Sequence, residues 1–510
     1  MQKRIGRAVR PAALYAGVML TLFPLYYQNY YYDINTCKYR LFLWLTLALA
    51  VATGAAFLWR LCRRRGVHPA LGVTDGCMAA FVLCAAISCA LCADPMDALT
   101  GDRGRHSGLL YLLAIGTMTL CLARRGGGYR ACMGLMLLAG TAVCLLGVLQ
   151  FYGVDPLRFY DGLGGTQRFI FMSTIGHINF FGAYVGMLLA VAACGAIDGK
   201  SLRLRIPCQA LVLLCCATAA VSRSDSVYIA IAGASVALLR RALASWRHLG
   251  RACFCAGSFF LGAWWIDMLP FEHMAMQGLC AKVADLGVGL ALLWAGFAAL
   301  GLLALWLDAR QADARALAHV RRALYALCGA GIALAAAAVV WFTAFDTSAR
   351  LGAWENYLRL NDKWGTGRGF VWIRAVQSYA SFSPLQKLFG CGPDMARTIL
   401  EPLMTKEAMA LSGGVFENCH NEYLQYLLTT GAAGLAAYLA FLLTALRRLA
   451  LAGRENPAVR ALFAAAVGYA AQASVSVNQP ITTTIFFVLL AMGLGLTADI
   501  ARRQPARHGL

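Results

Sequence analysis

The chain has 510 residues, of which 60% are hydrophobic and only 14% are charged. Soluble globular proteins have about 25% charged residues, so this composition excludes an ordinary soluble domain. The formal net charge of +21 resembles that of a nucleic-acid-binding protein. However, the basic residues are divided among alternate connections between apolar segments, which is a membrane topology signal. No nucleic-acid partner is therefore expected.

Apolar runs of about 20 residues recur along the whole chain, and each is long enough to cross a hydrocarbon core about 30 Å thick. Lipid offers no partners to backbone groups, and the runs lack the alternation of barrel strands, so helices are expected. The sequence predicts an all-α, polytopic integral membrane protein with about fourteen transmembrane helices. The predicted spans lie near residues 11–31, 41–60, 74–92, 107–123, 131–151, 174–197, 206–222, 226–244, 251–269, 285–307, 322–345, 424–446, 459–477 and 481–499.

The basic residues indicate how these spans are oriented. On this segmentation about 29 of the 45 Lys and Arg residues fall on one side and about 16 on the other. Cytoplasmic loops carry the excess of positive charge, so both termini are expected in the cytoplasm. The first apolar stretch follows a basic N-terminus, lacks a convincing cleavage site and ends in a run of tyrosines. We therefore interpret it as a retained first span and not as a signal peptide.

The 19 cysteines do not indicate a metal centre. Most of them fall within predicted spans, where Cys behaves as a small apolar residue. No C-x2-C pair occurs together with a second pair of ligands. Cys391 and Cys419 both lie on the predicted outer side, and the sequence does not decide whether they form a disulfide. No metal and no cofactor are expected.

Residues 346–419 form one outer loop that is far longer than usual connections and is therefore functional or disordered. Its many aromatic residues argue against disorder. Two short amphipathic helices on the outer membrane face would account for two apolar stripes at helical spacing. The stripes are Phe370, Ile373, Val376 and Ala380, then Met395, Ile399, Leu403 and Met404. A purely structural cap would explain the stripes, but not the eight basic residues of the loop.

Polar residues at four places on the predicted outer face are candidates for chemistry. They are Arg168 at the mouth of the sixth span, Arg223 in a polar break between two spans, Arg368 and Arg374 in the loop, and the pair His420-Asn421. Guanidinium groups match phosphate oxygens bidentately, so the arginines suit a diphosphate. A histidine at the end of an apolar helix is costly and usually functional.

Simpler interpretations of the same residues stay open. Arg168 and Arg374 would merely extend their charged ends toward water. Asp225 would neutralise Arg223, and His420 would only form hydrogen bonds at the membrane interface.

The pattern His420-Asn421, then nine residues, then Gly431-x-x-Gly434, resembles the signature of the O-antigen ligase and polymerase superfamily. Further likenesses are Gly367-Arg368 followed by Trp372, the turn at residues 388–393, Ser222-Arg223 at a span junction, and Arg168 with Asn179. The resemblance covers roughly residues 165–445. Two positions depart from the family's pattern: Ser224 replaces a commoner Gly, and His177-Ile178-Asn179 stands where Asn-Pro-Asn is frequent. The second departure leaves the role of His177 open.

The resemblance implies a membrane glycosyltransferase that acts on the outer face of the bacterial inner (cytoplasmic) membrane. It implies a glycan donor on undecaprenyl diphosphate, a lipid or polysaccharide acceptor, metal-independent transfer and inversion at the anomeric centre. His420, with Asn421, would provide the catalytic base. The diphosphate would be bound by Arg223, Arg368, Arg168 and Arg374. Asn179, Gly431 and Gly434 would support the site.

Three regions follow from this interpretation: N-terminal helices at 1–165, a ligase-like catalytic region at 166–446 that includes the loop 346–419, and C-terminal helices with a short tail at 447–510. The acceptor stays open between lipopolysaccharide (a ligase), another repeat unit (a polymerase), a cell-wall polymer and a protein. The competing class is a lipid-linked glycan flippase or another transporter. A transporter places polar residues or helix breaks at mid-membrane, whereas here they gather at the outer face.

Overall fold

The computed structural model describes residues 11–62, 72–102, 104–124, 126–165, 167–276, 278–404, 409 and 416–503. Within these residues the fold is almost entirely helical, and its one sheet is a two-stranded antiparallel ribbon, β1 (Phe171–Met172) with β2 (Gly176–His177). The α-helices are Pro11–Leu25 (α1), Ile34–Cys62 (α2), Val73–Leu91 (α3), Pro95–Thr100 (α4), Leu109–Leu122 (α5), Tyr129–Phe151 (α6), Ile178–Asp198 (α7), Leu202–Val221 (α8), Ser226–Ala242 (α9), Trp246–Met268 (α10), Gly278–Ala284 (α11), Val288–Ala309 (α12), Arg315–Ala344 (α13), Glu355–Leu358 (α14), Trp364–Ser381 (α15), Pro384–Phe389 (α16), Ala396–Leu400 (α17), Glu422–Ala452 (α18), Pro457–Gln472 (α19) and Thr482–Arg503 (α20).

A helix coincides with each of the predicted apolar spans, which confirms the all-α, polytopic prediction. Among the described residues, eleven helices are long and apolar enough to cross a membrane. The three remaining helices are α1, α5 and α9, with 15, 14 and 17 residues. At 1.5 Å per residue they are about 21–25 Å long, which is less than a hydrocarbon core of about 30 Å. The predicted number of fourteen spans is therefore not confirmed.

Helix α7 is at the centre of the bundle, with 94% of its apolar window buried. Small residues let its neighbours approach closely: a Cβ at Gly140 would collide with Leu188, and a Cβ at Gly147 would collide with Phe181. By contrast, α13 is peripheral, because Leu317 is its one buried residue among those described. The candidate residues beside the start of α7 are thus held by the most rigid part of the fold.

The helix ends form two distinct polar layers. At one end of the bundle, the carboxylate of Asp198 at the end of α7 accepts hydrogen bonds from Arg241 and Arg460. Residue 223, between α8 and α9, and residue 420, just before α18, lie at the opposite ends of their helices. Arg223 and Arg241 are separated by α9, which is about 25 Å long. The alternation agrees with the charge pattern of the sequence.

The long loop is folded onto the bundle. Phe370, Val371 and Ala375 of α15 are buried in a small hydrophobic cluster that also includes residues of α17 and α18. Helix α15 confirms the first predicted amphipathic helix, but its buried face differs from the predicted stripe, since Val376 is 56% exposed. The second predicted helix is reduced to α17 and a 3-10 turn at Glu401–Leu403.

The thiols of Cys391 and Cys419 are both free, so the disulfide that the sequence left open is not formed. Some of the residues from which the orientation was predicted lie outside the described part of the chain. These are the basic N-terminal residues 1–10, the basic segment 63–71 and the C-terminal residues 504–510. Residues 405–408 and 410–415 of the predicted outer loop also lie outside it.

Candidate active site

The turn that carries Arg223 is fixed by hydrogen bonds from neighbouring helices. Arg223 has a φ of 60°, an uncommon conformation for a residue with a side chain. The next residue, Ser224, donates its hydroxyl to Oδ1 of Asn179 at 2.6 Å. Gln472 donates its side-chain amide to the Asn179 carbonyl at 3.0 Å and to Oγ of Ser226 at 3.0 Å. Asn179 therefore supports the Arg223 turn, and Ser224 makes a contact that glycine would lack.

The guanidinium of Arg223 is buried, with only 6% of the residue exposed. Its Cζ lies 4.4 Å from the centre of the Phe169 ring, and Nη1 donates to the Phe169 carbonyl at 3.5 Å. Nε and Nη2 are buried and have no hydrogen-bond partner among the described residues. The carboxylate of Asp225 accepts from the backbone N–H of Leu279 at 2.7 Å and forms no ion pair with Arg223 among the described residues. Two N–H groups of a buried cation are therefore available to an anion.

Arg168 lies in the 3-10 turn Gln167–Phe169 and is exposed. Its neighbour Phe169 is the residue on which Arg223 stacks. Arg168 is therefore a surface residue next to the ring on which Arg223 stacks.

Arg368 lies near the start of α15, where glycines make a tight turn. Gly367 has a φ of 89°, and a Cβ at Gly369 would collide with the carbonyl of Asn361. Burial lowers the pKa of the Arg368 guanidinium, and the carboxylate of Asp225 partly opposes this effect. Arg368 is close enough to His177 and His420 for its charge to lower the pKa of both. Arg368 thus connects the loop to the start of α7 and to the start of α18.

Arg374 follows Arg368 by six residues on α15, a rotation of about 240° around the helix. Its guanidinium is 3.4 Å from the Asp362 carboxylate and 4.7 Å from the centre of the Phe370 ring. The structure therefore does not bring Arg374 together with Arg223, Arg368 and His420.

His420 is held by contacts of its backbone. Its own N–H donates to the side chain of Asn418 at 2.9 Å, and its φ is 45°. The indole N–H of Trp372 on α15 donates to the carbonyl of Cys419 at 2.9 Å. The imidazole Nδ1 of His420 is buried, and no residue in the described part of the chain forms a hydrogen bond with it. The side chain is therefore positioned by its surroundings, while one of its ring nitrogens is unengaged.

The electrostatic surroundings of His420 favour a neutral imidazole. Burial lowers its pKa to about 3, and the charges of Arg368, His177 and Arg105 contribute in the same direction. His177 is subject to the same two kinds of effect, since burial and then Arg368 lower its pKa to about 4. Nδ1 of His177 accepts from the backbone N–H of Asn179 at 3.2 Å. Its Nε2 therefore carries the proton in the neutral ring.

Asn421 is the N-cap of α18. Its Oδ1 accepts from the backbone N–H groups of Tyr423 and Leu424, both at 3.1 Å. An N-cap of this kind stabilises a helix by about 1 kcal/mol. Asn421 thus fixes the point at which α18 begins, directly after His420.

The two glycines of the motif, Gly431 and Gly434, stand where a side chain would collide with neighbouring atoms. Gly431 has a φ of 70° and a ψ of −176° inside α18, and a Cβ there would collide with the carbonyl of Leu388. The kink lets the turn after α16 approach α18, where Cys391 donates its N–H to the carbonyl of Leu428 at 3.1 Å. A Cβ at Gly434 would collide with the Thr430 side chain. Both glycines help to dock the loop against the helix that follows His420.

Arg105 is a site residue that the sequence reasoning missed. It precedes α5, is 4% exposed and forms an ion pair at 3.0 Å with the buried carboxylate of Asp394. Its Nη2 is buried without a hydrogen-bond partner among the residues that the structure describes, and its charge contributes to the lowered pKa of His420. A basic residue in a short connection on the arginine-poor side of the predicted topology is the signal that could have identified it.

Glu422 is a second polar residue beside His420 that sequence reasoning missed. It is fully buried, and its carboxylate accepts from the hydroxyl groups of Tyr438 at 2.6 Å and Tyr469 at 3.0 Å. The bond from Tyr469 joins α18 to α19, and the bond from Tyr438 lies within α18. The sequence shows that Glu422 is an acidic residue near His420. Its hydrogen-bond partners are set by tertiary structure and are not visible in the sequence.

The fold and the site define a multi-pass membrane protein with a buried arginine and histidine site at one end of its helix bundle. Residues 290–439 match a protein-family model described as O-antigen ligase. This part of the chain is similar to that family, which confirms the resemblance carried by His420, Asn421, Gly431 and Gly434. A search of curated proteins gave no match.

The matched range includes Arg368 and His420 but not Arg105, Arg168 or Arg223. Among the described residues, no group of three or more His, Cys, Asp and Glu side chains is arranged as a metal site.

Proposed function

We propose that the protein transfers a glycan from undecaprenyl diphosphate to an acceptor hydroxyl on the outer face of the inner membrane. The family match supports a membrane glycosyltransferase of the O-antigen ligase and polymerase type. The donor, the side of the membrane and the roles of the individual residues belong to the proposal.

The observation that carries the proposal is the set of buried, unengaged N–H groups on Arg223 and Arg105. Among the described residues, Nε and Nη2 of Arg223 and Nη2 of Arg105 have no hydrogen-bond partner. Buried donors of this kind are costly unless a ligand accepts from them. An anion with several oxygens, such as a diphosphate, would satisfy them, and Arg368 would add a third positive charge.

In the proposed reaction, the glycosidic C–O bond to the diphosphate breaks, and its electron pair leaves with the diphosphate oxygen. Arg223 and Arg368 stabilise the charge that develops there, and Arg105 assists. The acceptor oxygen forms the new C–O bond from the opposite face of the sugar, so the anomeric centre inverts. His420 takes the proton of that hydroxyl. No metal is required, because guanidinium groups supply the positive charge.

Binding of the donor would also make His420 a stronger base. In the unliganded protein His420 is a weak base, because burial and three neighbouring groups lower its pKa. A diphosphate bound by Arg105 and Arg368 offsets their charge, and an anion nearby favours the protonated imidazole. The pKa of His420 would therefore rise when the donor binds, and His420 would become an effective base only in the complex.

Reconstitution with defined substrates tests this function. The purified protein is placed in liposomes with a glycan on undecaprenyl diphosphate, and the release of undecaprenyl diphosphate is measured. Lipid A core and a second lipid-linked repeat unit are offered separately, so transfer to the first indicates a ligase and chain extension on the second a polymerase. His420→Ala serves as the inactive control. Movement of the intact donor across the bilayer without any transfer would contradict the proposal and favour a transporter.

A further inference from the structure

A cavity of about 590 Å³ lies at the end of the bundle opposite to His420. It is bounded by α9, α13, the end of α18 and the start of α19. Five arginines contribute to its wall: Arg240, Arg241, Arg321, Arg454 and Arg460. The described lining residues include no Asp or Glu. The cavity is therefore strongly basic, and the proposed transfer reaction makes no use of it.

Two of the five arginines are held in place by protein contacts. Arg241 and Arg460 both form ion pairs with Asp198. Arg460 also donates to the carbonyls of Gly453 and Arg454, both at 2.9 Å. Two further titratable groups lie at this carboxylate: Nε2 of His248 is 3.7 Å from Asp198, and the Cys194 thiol donates to Asp198 at 3.5 Å. One carboxylate therefore faces two guanidinium groups that cannot move away from it.

The other three arginines, Arg240, Arg321 and Arg454, have no ion-pair partner among the residues that the structure describes. They come from three different elements: α9, α13 and the connection between α18 and α19. Asp198 pairs with Arg241 and Arg460, so the three other guanidinium groups add positive charge to the wall that no described ion pair balances. Neighbouring positive charges repel one another, and an anion bound between them would reduce that repulsion.

The remainder of the cavity wall is largely apolar. Val236, Phe463 and Val467 lie in its wall. Helix α13 forms one side and contacts α9 through a hydrogen bond from the Tyr325 hydroxyl to the Val236 carbonyl at 3.4 Å. None of the apolar window of α13 is buried. An acyl chain can therefore lie between α13 and the bundle while a headgroup is bound by the arginines.

We propose that this cavity binds one anionic phospholipid, with its phosphate at Arg240, Arg321 and Arg454 and its acyl chains along Val236 and Phe463. Basic pockets between transmembrane helices bind the headgroups of anionic lipids. A free phosphate ion shares the headgroup chemistry, but it would leave the apolar part of the wall uncovered. The apolar wall therefore favours a lipid. This site is independent of the proposed glycosyl transfer.

The test is a lipid titration followed by native mass spectrometry in detergent. Phosphatidylglycerol and phosphatidylcholine with the same acyl chains are compared, and inorganic phosphate is added as a competitor. The cavity variant is Arg321→Gln with Arg454→Gln, and the matched control is Arg203→Gln with Arg310→Gln, two exposed arginines that do not line the cavity. Unfolding midpoints without added lipid verify that all proteins are folded.

The wild-type protein and the control should bind one phosphatidylglycerol more tightly than phosphatidylcholine. In the cavity variant the affinity should fall about 5-fold per arginine, or about 25-fold in total. Equal affinity for both lipids, or equal loss in the control, would overturn the proposal. Displacement of the lipid by inorganic phosphate at a similar concentration would assign the cavity to a soluble anion.

A second measurement does not depend on variants. A photoreactive phosphatidylglycerol is cross-linked to the wild-type protein, and the modified peptides are identified. Labels on α9, α13 or α19 beside the cavity are expected, and labels confined to other helices would contradict the assignment.

Discussion

The indole N–H of Trp372 donates to the carbonyl of Cys419 at 2.9 Å, one residue before His420. Trp372 belongs to α15, the same helix that carries Arg368 near its start. This hydrogen bond therefore joins the helix that carries Arg368 to the segment that carries the candidate base, His420.

Replacing Trp372 with Phe tests this positioning role. The ring is largely kept, but the donor to Cys419 is lost, so His420 should be less well oriented while the fold is maintained. We expect the rate of transfer to fall about 10- to 100-fold, because small displacements of a reacting group are costly. The affinity for the donor should change little. A parallel loss of donor affinity and of rate would indicate a general structural defect instead.

Replacing Arg223 or Arg368 with Ala should weaken donor binding and transfer. Each loss removes charge-assisted hydrogen bonds of about 1.5–3 kcal/mol, or roughly 10- to 150-fold. Lys should restore activity only in part, because an ammonium cannot form the bidentate contact. Arg374→Ala is the matched control on α15, since its guanidinium is engaged by Asp362. Normal transfer by both Arg223→Ala and Arg368→Ala would move the diphosphate site elsewhere.

Gly431→Ala should destabilise the protein. The backbone at this position has a φ of 70° and a ψ of −176°, and a Cβ would meet the Leu388 carbonyl. The conformational cost alone is about 1–3 kcal/mol. Gly134→Ala is the control, because the same methyl group on α6 meets nothing within 4 Å. Thermal unfolding in detergent should show a lower midpoint only for Gly431→Ala, and equal midpoints for the two variants would refute the role of the kink.

The pH dependence of transfer should differ between the free protein and its complex with the donor. In the free protein the pKa of His420 is lowered to about 3, first by burial. A bound diphosphate raises that pKa, so the protonated, inactive form should accumulate at higher pH in the complex. The acid limb of kcat reports the complex and that of kcat/KM the free protein. The kcat limb should therefore lie at higher pH, and coincident limbs would exclude activation by the donor.

The regular part of the fold could be predicted from sequence because lipid imposes one rule on every span. A helix coincides with each apolar run, although α1, α5 and α9 are too short to confirm fourteen crossings. The loop was harder to predict, because the buried face of α15 is set by contacts with α17 and α18. An apolar stripe does not by itself distinguish a protein-facing surface from a lipid-facing one.

The candidate site was predictable where a polar residue interrupts an apolar pattern. Arg223 and His420 were proposed in this way, and the structure buries Nε and Nη2 of Arg223 and Nδ1 of His420. Arg105 and Gln472 were missed because their roles depend on residues hundreds of positions away, Asp394 and Asn179. Arg374 was included by proximity in sequence to Arg368, whereas helix rotation places it on a different face.

The most direct test of the central claim is the rate of transfer by His420→Ala from a purified undecaprenyl-diphosphate-linked glycan. Donor binding is measured on the same preparation, so that loss of chemistry is separated from loss of the site. The account predicts a rate about 10²- to 10⁴-fold below that of the wild-type protein, the usual cost of a lost general base. Donor binding should be retained, and a chelator should leave wild-type transfer unchanged. Transfer by His420→Ala at the wild-type rate would contradict the mechanism.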